Sequence, residues 1–235
     1  MKMRKVKLFC IPHAGGSATS YLKLKKYINS HIEVCPIELA GRGRRFNENF
    51  YDSIEEAVYD VYKIIESDLD YEYAILGHSM GSLIAFELAH HIIKLKKQNP
   101  IHIFFSGRKS PNIIYANNQI HKLPEEELKN KIFQFSGTPK EIFENEKIFR
   151  TFLPILRADF KICEQYKYKE KSSKLNFDIS ILNGNMDDIK IKHIADWRKF
   201  TSKKCNIRFF QGGHFYINHN WNNLSDFINS IIDKT

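Results

Sequence analysis

A serine between two glycines is the residue of this sequence best suited to covalent chemistry. It lies in the motif Gly77-His78-Ser79-Met80-Gly81, after the apolar segment 73–76 and before a stretch with apolar residues at helical spacing. A serine at such a strand-to-helix turn presents its hydroxyl at the edge of a sheet, and flanking glycines let the two elements pass closely. The pattern predicts that Ser79 is the nucleophile of an acyl-transfer reaction.

A histidine near the end of the chain can act as the base that this serine needs. An imidazole has the unperturbed pKa best suited to removing a proton from a hydroxyl near neutral pH. Of the ten histidines, His214 lies in a double-glycine loop that directly follows the last predicted strand. His78 is expected to point elsewhere on the turn, and His13 precedes the serine, which is the wrong chain order for this fold. We therefore predict that His214 is the general base.

A carboxylate between the serine and the histidine completes the expected order of serine, acid and histidine. The segment 181–188 contains a strand that ends at Gly184, followed by a loop with Asp187 and Asp188. We favour Asp187 on its spacing from the strand, and Asp188 is an alternative that could equally cap a helix. The acid would fix the tautomer of the imidazole and stabilise the imidazolium without taking the proton.

A second glycine-rich turn, Pro12-His13-Ala14-Gly15-Gly16-Ser17, follows the first predicted strand. Backbone N–H groups in such a turn can approach a ligand closely. With the N–H of Met80, which follows the nucleophile, the N–H of Ala14 would form an oxyanion hole. Without the serine motif, the same turn would fit a flexible loop equally well.

The elements that must position these residues alternate along the chain. Short apolar runs rich in β-formers predict strands at 5–12, 34–39, 74–77, 101–106, 178–184 and 206–210. Apolar residues spaced by three and four predict helices at 20–28, 53–68, 79–97, 191–200 and 224–232, the second with a capping box of Ser53 and Glu56. This alternation predicts a single α/β domain over residues 1–235, with a mostly parallel sheet flanked by helices, and the serine motif specifies the α/β-hydrolase fold.

Residues 111–176 interrupt the alternation. They contain helical patterns at 125–135, 141–143 and 146–156 but no convincing strand. An insertion that follows a strand end is well placed to cover a site at the carboxyl edge of a sheet. The sequence therefore predicts a helical lid insertion over residues 111–176.

Charge and composition restrict the partners and the compartment. The 36 Lys and Arg residues exceed the 27 Asp and Glu residues, and the net charge of +9 favours an acidic partner. No nucleic-acid-binding module, membrane span or signal peptide is recognisable, so we expect neither nucleic acid nor a membrane as a partner and a cytoplasmic location. The four cysteines lack metal-ligand spacing and are predicted to be free thiols. The chemistry needs no metal or organic cofactor, and a monomer is the default expectation.

Six motifs together resemble the stand-alone type II thioesterases that accompany nonribosomal peptide and polyketide synthases. They span nearly the whole chain in that family's order: Pro12-His13-Ala14-Gly15-Gly16-Ser17, Gly41-Arg42, Gly77-His78-Ser79-Met80-Gly81, Ser106-Gly107-Arg108, Leu156-Arg157-Ala158-Asp159 and Gly212-Gly213-His214-Phe215. The resemblance implies hydrolysis of acyl groups from the phosphopantetheine arm of acyl or peptidyl carrier proteins, which frees mis-primed or stalled carriers, with the triad Ser79, Asp187 and His214. The arm is part of the substrate, and carrier proteins are typically acidic, in agreement with the positive net charge.

Several alternatives stay open at this point. The same fold and triad would serve a small-molecule carboxylesterase or a medium-chain fatty acyl thioesterase. A non-catalytic carrier-binding module could also keep the fold, although the intact set of serine, aspartate and histidine argues against it. Three arginines after the second strand could contact a phosphate or a carrier face, or could form a solvated turn: Arg42, Arg44 and Arg45.

Overall fold

A six-stranded sheet forms the centre of the computed structural model, which describes residues 5–113, 119–134 and 145–235. The strands are β1 Val6–Ile11, β2 Ile32–Pro36, β3 Tyr73–His78, β4 His102–Ser106, β5 Ile179–Gly184 and β6 Cys205–Phe210. All neighbouring strands are parallel, in the order β2-β1-β3-β4-β5-β6. The predicted α/β fold with a parallel sheet is confirmed, and the carboxyl ends of the strands meet at one edge.

Each predicted strand is present, and β2 differs most from its predicted bounds. The sequence predicts it at 34–39, whereas it spans Ile32–Pro36. The N–H of Ile37 still donates to the carbonyl of Cys10 at 2.9 Å, and the missing N–H of Pro36 is tolerated because β2 is an edge strand.

Helices cover both faces of the sheet. They are α1 Ile54–Ile65, α2 Met80–Lys94, α3 Glu125–Gln134, α4 Glu146–Gln165, α5 Ile191–Ala195 and α6 Trp221–Ile232. Helices α1 and α2 pack on the face that carries Phe9 and Ile11 of β1. Helix α6 packs on the face that carries Leu8 and Cys10, because successive side chains of a strand point to opposite faces. Within the described residues, none of the helices combines the length and the apolar composition that a membrane span needs.

The predicted capping box at the start of α1 is present. The N–H of Glu56 donates to Oγ of Ser53 at 3.1 Å, and the Glu56 carboxylate accepts a bond from the N–H of Asp52 at 2.8 Å. These bonds satisfy N–H groups that have no partner inside the helix.

The prediction of a helix at 20–28 is wrong. The segment forms two 3-10 turns, Ala18–Tyr21 and Leu24–Lys26. Tyr21 and Leu24 are both buried, and their spacing of three residues matches one turn of a 3-10 helix. The hydroxyl of Tyr21 donates to the carbonyl of Ile11 at 2.9 Å and fixes the first turn against the end of β1.

The insertion between β4 and β5 contains α3 and α4, whereas residues 166–176 form no helix. Helix α4 continues to Gln165, beyond the predicted end at Leu156, and it contains Pro154. Its N-terminal half joins α3 in a small apolar cluster of Leu128, Ile132 and Leu156. Ile162, in its C-terminal half, belongs to the main core. The helical pattern at 141–143 lies outside the described residues.

Candidate active site

Ser79 occupies a strained turn between β3 and α2. Its backbone has φ 54° and ψ −110°, a conformation that residues with a side chain rarely adopt. The N–H of Ser79 donates to the carbonyl of Ser106 at the end of β4, at 2.8 Å. The turn is therefore held in place by the neighbouring strand, and the serine lies at the carboxyl edge of the sheet.

The two flanking glycines are required by close backbone approach. A Cβ on Gly77 would lie 2.2 Å from the carbonyl oxygen of Gly81, and a Cβ on Gly81 would lie 2.1 Å from that of Ile11. Real Cβ contacts are never this short, so any other residue would push α2 away from β3 and β1. The sequence-based explanation of the two glycines agrees with this geometry.

His214 and Asp187 form a hydrogen-bonded pair at the same edge. Nδ1 of His214 lies 2.9 Å from Oδ2 of Asp187, whose side chain is buried. With the Nδ1 proton donated to Asp187, Nε2 of His214 is the unprotonated nitrogen that a general base needs. Asp187 lies in the loop after β5, and that loop is bound to the histidine loop because the N–H of Met186 donates to the carbonyl of Gly212 at 2.9 Å. Of the two candidate aspartates, Asp187 contacts His214, and Asp188 is exposed.

Ser79 and His214 lie at the same edge of the sheet. The ring of His78, adjacent to the serine in sequence, lies 5.3 Å from the ring of His214 between centroids. An imidazole whose Nδ1 faces Asp187 can take a proton from a serine hydroxyl at this edge.

Two further histidines lie close to His214, and burial lowers the pKa of both. Burial, with smaller contributions from His214 and Arg42, lowers the pKa of His13 to about 3. Burial likewise lowers the pKa of His78 well below its usual value, and its Nδ1 lies 2.8 Å from Oγ of Ser106. Their rings pack against each other with centroids 5.8 Å apart. Both rings also pack against Phe215.

Two backbone N–H groups next to the serine are available to an oxyanion. Met80 is the first residue of α2, where N–H groups lack a partner inside the helix. Neither the Met80 N–H nor the Ala14 N–H donates a hydrogen bond to another described residue. The turn that carries Ala14 follows β1, whose last residues contact Gly81 of the serine motif. Such a pair of free donors can stabilise a tetrahedral intermediate.

The structure places Arg42 in neither of the two environments that the sequence suggested, a solvated turn or a surface that contacts a phosphate or a carrier protein. Arg42 is only 2% exposed, so those predictions are wrong for this residue. Its guanidinium donates to both carboxylate oxygens of Asp159, at 2.6 and 2.7 Å. The sequence could not reveal this contact, because Asp159 lies in the insertion, 117 residues away. Arg45 pairs with Asp60 and Glu48, and Arg44 is exposed.

A second pair of serine and histidine lies inside the sheet. Nε2 of His102 is 2.8 Å from Oγ of Ser180, but the two residues are 1% and 0% exposed within β4 and β5. Burial lowers the pKa of His102 to about 4, and its ring packs on Phe104. No substrate can reach this pair, so its hydrogen bond satisfies buried polar groups of the core.

An open cleft of about 830 Å³ lies beside His214. Its lining includes Asp187 and three basic residues, Lys109, Lys190 and His193. Burial and the positive charges of Lys192, Lys109 and Lys190 lower the pKa of His193. The cleft lining thus combines lysines with the carboxylates of Asp187 and Asp188, and Lys192 lies close by.

The parallel sheet, the serine turn and the pair of aspartate and histidine together define a protein of the α/β-hydrolase class. A family profile described as a thioesterase domain matches residues 6–234, and the chain belongs to this family of thioester hydrolases. The expected family and enzyme class are confirmed.

The chain is similar to curated proteins from bacteria and from a mammal. The chain is 37% identical over 234 residues to the protein named linear gramicidin dehydrogenase LgrE of Brevibacillus parabrevis, covering 98% of this chain and 89% of that protein. It is 35% identical over 214 residues to the gramicidin S biosynthesis protein GrsT of Aneurinibacillus migulanus, covering 91% and 83%. It is 34% identical over 218 residues to the medium-chain S-acyl fatty acid synthase thioesterase of Rattus norvegicus, covering 90% and 81%.

A similar solved structure is that of ClbQ from the colibactin pathway of nonribosomal peptide and polyketide synthases. It has a TM-score of 0.93 and 30% identity, and the match covers 98% of each chain. The architecture of this chain therefore matches that of ClbQ over nearly the full length of both proteins.

Proposed function

We propose that this protein is a stand-alone type II thioesterase, which hydrolyses acyl groups from the phosphopantetheine arm of carrier proteins in a nonribosomal peptide or polyketide synthase. The observation that carries the proposal is the 2.9 Å contact of His214 with Asp187 beside the strained Ser79, in a chain of the thioesterase family. The similarity to GrsT and ClbQ, whose names refer to such pathways, supports the synthase as the setting.

In the proposed mechanism, Ser79 attacks the thioester carbonyl while His214 takes its proton. Asp187 holds the imidazole in the required tautomer and stabilises the imidazolium. The N–H groups of Met80 and Ala14 stabilise the tetrahedral oxyanion. The thiol of the arm leaves with the proton from His214, and water then releases the acid from Ser79 by the same steps.

The lysines at the cleft and the net charge of +9 support an acidic carrier protein as the partner. Lys109, Lys190 and His193 line the cleft beside His214, and Lys192 is adjacent. Opposite charges on a carrier would speed encounter and orient the arm toward the triad.

We also propose that residues 111–176 act as a lid and that the protein works as a cytoplasmic monomer. Helix α4 packs over Gly15 through Phe152 and Leu156, which supports a covering role. All four cysteines are free thiols, as is typical of proteins in a reducing compartment.

The test compares three acetyl donors: a phosphopantetheinyl carrier protein, acetyl-CoA and an aryl ester. We expect the highest kcat/KM with the carrier, and loss of turnover of all three donors in Ser79→Ala. A doubly substituted variant, Lys190→Glu with Lys192→Glu, should raise KM for the carrier several-fold and leave the aryl ester unchanged. Preference for the aryl ester, with the carrier ignored, would instead indicate a carboxylesterase.

A second candidate function is the release of medium-chain fatty acids, which the similarity to the rat enzyme favours. Acyl carriers loaded with chains of two to twelve carbons distinguish the two functions. An optimum at medium chain length would favour this second candidate, whereas efficient release of acetyl groups would favour the editing thioesterase. A carrier-binding protein without catalysis would fail to react with a fluorophosphonate at Ser79.

A further inference from the structure

A buried ion pair connects the insertion to the candidate oxyanion turn. Oδ2 of Asp159, in α4, accepts a hydrogen bond from the N–H of Gly15 at 2.7 Å. The same oxygen and its partner Oδ1 accept two bonds from the guanidinium of Arg42, and that guanidinium also donates to the carbonyl of Gly16 at 3.2 Å. Arg42 and Asp159 are each 2% exposed.

These bonds act on the residues next to the candidate oxyanion donor. Gly15 directly follows Ala14 and has φ +76°, a backbone conformation that residues with a side chain rarely adopt. Phe152 and Leu156 of α4 cover Gly15 so closely that a Cβ there would lie 2.8 and 2.7 Å from them. Helix α4 therefore holds this turn through both a hydrogen bond and apolar contacts.

The charge of the pair fits the same role. A lone carboxylate one residue from an oxyanion donor would repel the negative charge that develops in the transition state. Arg42 contacts both oxygens of Asp159 and balances its charge, so the anchor does not oppose the reaction. Bidentate pairing also fixes the direction of the carboxylate, which a single charged bond would not do.

We propose that Arg42 and Asp159 are positioning residues of the oxyanion hole, which tie the turn of Ala14 and Gly15 to α4. The donor of Ala14 is then correctly placed only while α4 lies against the body of the enzyme. The inference rests on the proposed function, because it takes Ala14 as an oxyanion donor. The insertion would then position a catalytic N–H group in addition to covering the site.

The experiment uses the aryl ester, so that carrier recognition does not enter, and active sites are titrated with a fluorophosphonate. Asp159→Ala removes the acceptor of the Gly15 N–H. We expect kcat per active site to fall about 10- to 100-fold, with KM changed less than twofold, because only the transition state loses stabilisation. Affinity for a trifluoromethyl ketone, whose adduct with Ser79 carries an oxyanion, should fall by a similar factor.

Two further variants separate positioning from folding. Asp159→Asn keeps an oxygen that can accept the Gly15 N–H, so it should retain more kcat than Asp159→Ala. The charge-free pair Arg42→Met with Asp159→Leu can restore packing without restoring the acceptor, so it should fold and still show the reduced kcat. Lys161→Met is the matched control, since it breaks an exposed ion pair of α4 with Asp52 that does not contact the turn.

The proposal is overturned if the folded Asp159 variants keep the kcat and the ketone affinity of the wild type. It is also overturned if kcat falls as much in Lys161→Met as in Asp159→Ala, because the loss would then result from any perturbation of α4. Failure of the proposed function has a different signature: turnover by Ser79→Ala or neglect of the carrier, neither of which depends on Asp159.

Discussion

The serine turn and the helical insertion contribute to the same site but are held in place by different forces. The turn lies on the central sheet, where strands and α2 bury apolar side chains on both faces and two glycines allow direct backbone contact. The insertion contacts the body through ion pairs and hydrogen bonds, and also through apolar residues such as Ile162 and Leu175 that join the main core. These contacts include the pairs Arg42 with Asp159, Lys161 with Asp52, and Lys171 with Glu87.

The difference indicates how the two regions respond to change. Apolar burial is non-directional, proportional to the buried area and independent of the protonation of side chains, so the sheet fixes the nucleophile rigidly. Ion pairs need correct geometry and charge, and a buried pair is strongly destabilising when one partner is removed. The apolar cluster of α3 and α4 is small, with Leu128, Ile132 and Leu156 as its buried members. The insertion is therefore the region where substitutions can alter activity without unfolding the sheet.

The largest expected effect concerns the acid of the triad. Asp187→Asn keeps the shape of the side chain but favours the wrong tautomer of His214, so kcat should fall about 10⁴-fold. Asp188→Asn is the matched control, since Asp188 is exposed, and it should stay within a few-fold of the wild type. Steady-state kinetics with an aryl ester measure both. Equal losses in the two variants would contradict the assignment of Asp187.

The glycines of the serine turn give the next largest effect. Gly81→Ala places a Cβ 2.1 Å from the carbonyl oxygen of Ile11, and we expect a loss of about 3 kcal/mol in the free energy of unfolding together with most activity. Gly213→Ala is the control, because the nearest atom to its Cβ is 3.9 Å away. Urea denaturation compares the two. Similar stability of both variants would show that the sheet tolerates separation of α2 from β1.

Two leucines compare the main core directly with the insertion. Leu88 in α2 and Leu128 in α3 are both fully buried. Leu88→Ala should lower the free energy of global unfolding by about 3 kcal/mol. Leu128→Ala should lower it less, and should instead speed hydrogen exchange in α3 and the N-terminal half of α4. If Leu128→Ala lowers global stability as much as Leu88→Ala, the insertion and the sheet unfold as one unit.

The smallest expected effect is a pH dependence of stability at the buried histidines. His13 binds a proton near pH 6.5 when unfolded but only near pH 3 when folded. Its contribution to stability is therefore complete above about pH 6.5 and is lost as the pH falls, by about 2 kcal/mol at pH 5. His78 acts in the same direction. The free energy of unfolding, measured in urea at pH 7.5 and 5.0, should differ less between the two pH values for His13→Asn than for the wild type. An unchanged difference would mean that the ring is protonated inside the fold.

Much of the fold follows from local patterns in the sequence. The six strands were predictable because buried parallel strands are continuous apolar runs, and α1, α2 and α6 were predictable from apolar spacing. The segment 20–28 was predicted incorrectly because only Tyr21 and Leu24 pack on the sheet, and two buried residues three apart fit either type of helix. The end of α4 was missed because its C-terminal half is buried by contacts with the main core, which its local pattern does not specify.

The sequence by itself determined the family, the parallel sheet and the identity of the candidate nucleophile and base, because a strained turn and a glycine loop each leave a short local signature. Tertiary structure alone decided which aspartate meets His214 and that Arg42 is buried against Asp159. Both are contacts between residues distant in the chain, and their distance and direction depend on how the strands and the insertion pack. The ion-pair partner of a charged residue depends on the tertiary structure, so the role of Arg42 could be identified only from its contacts in the fold.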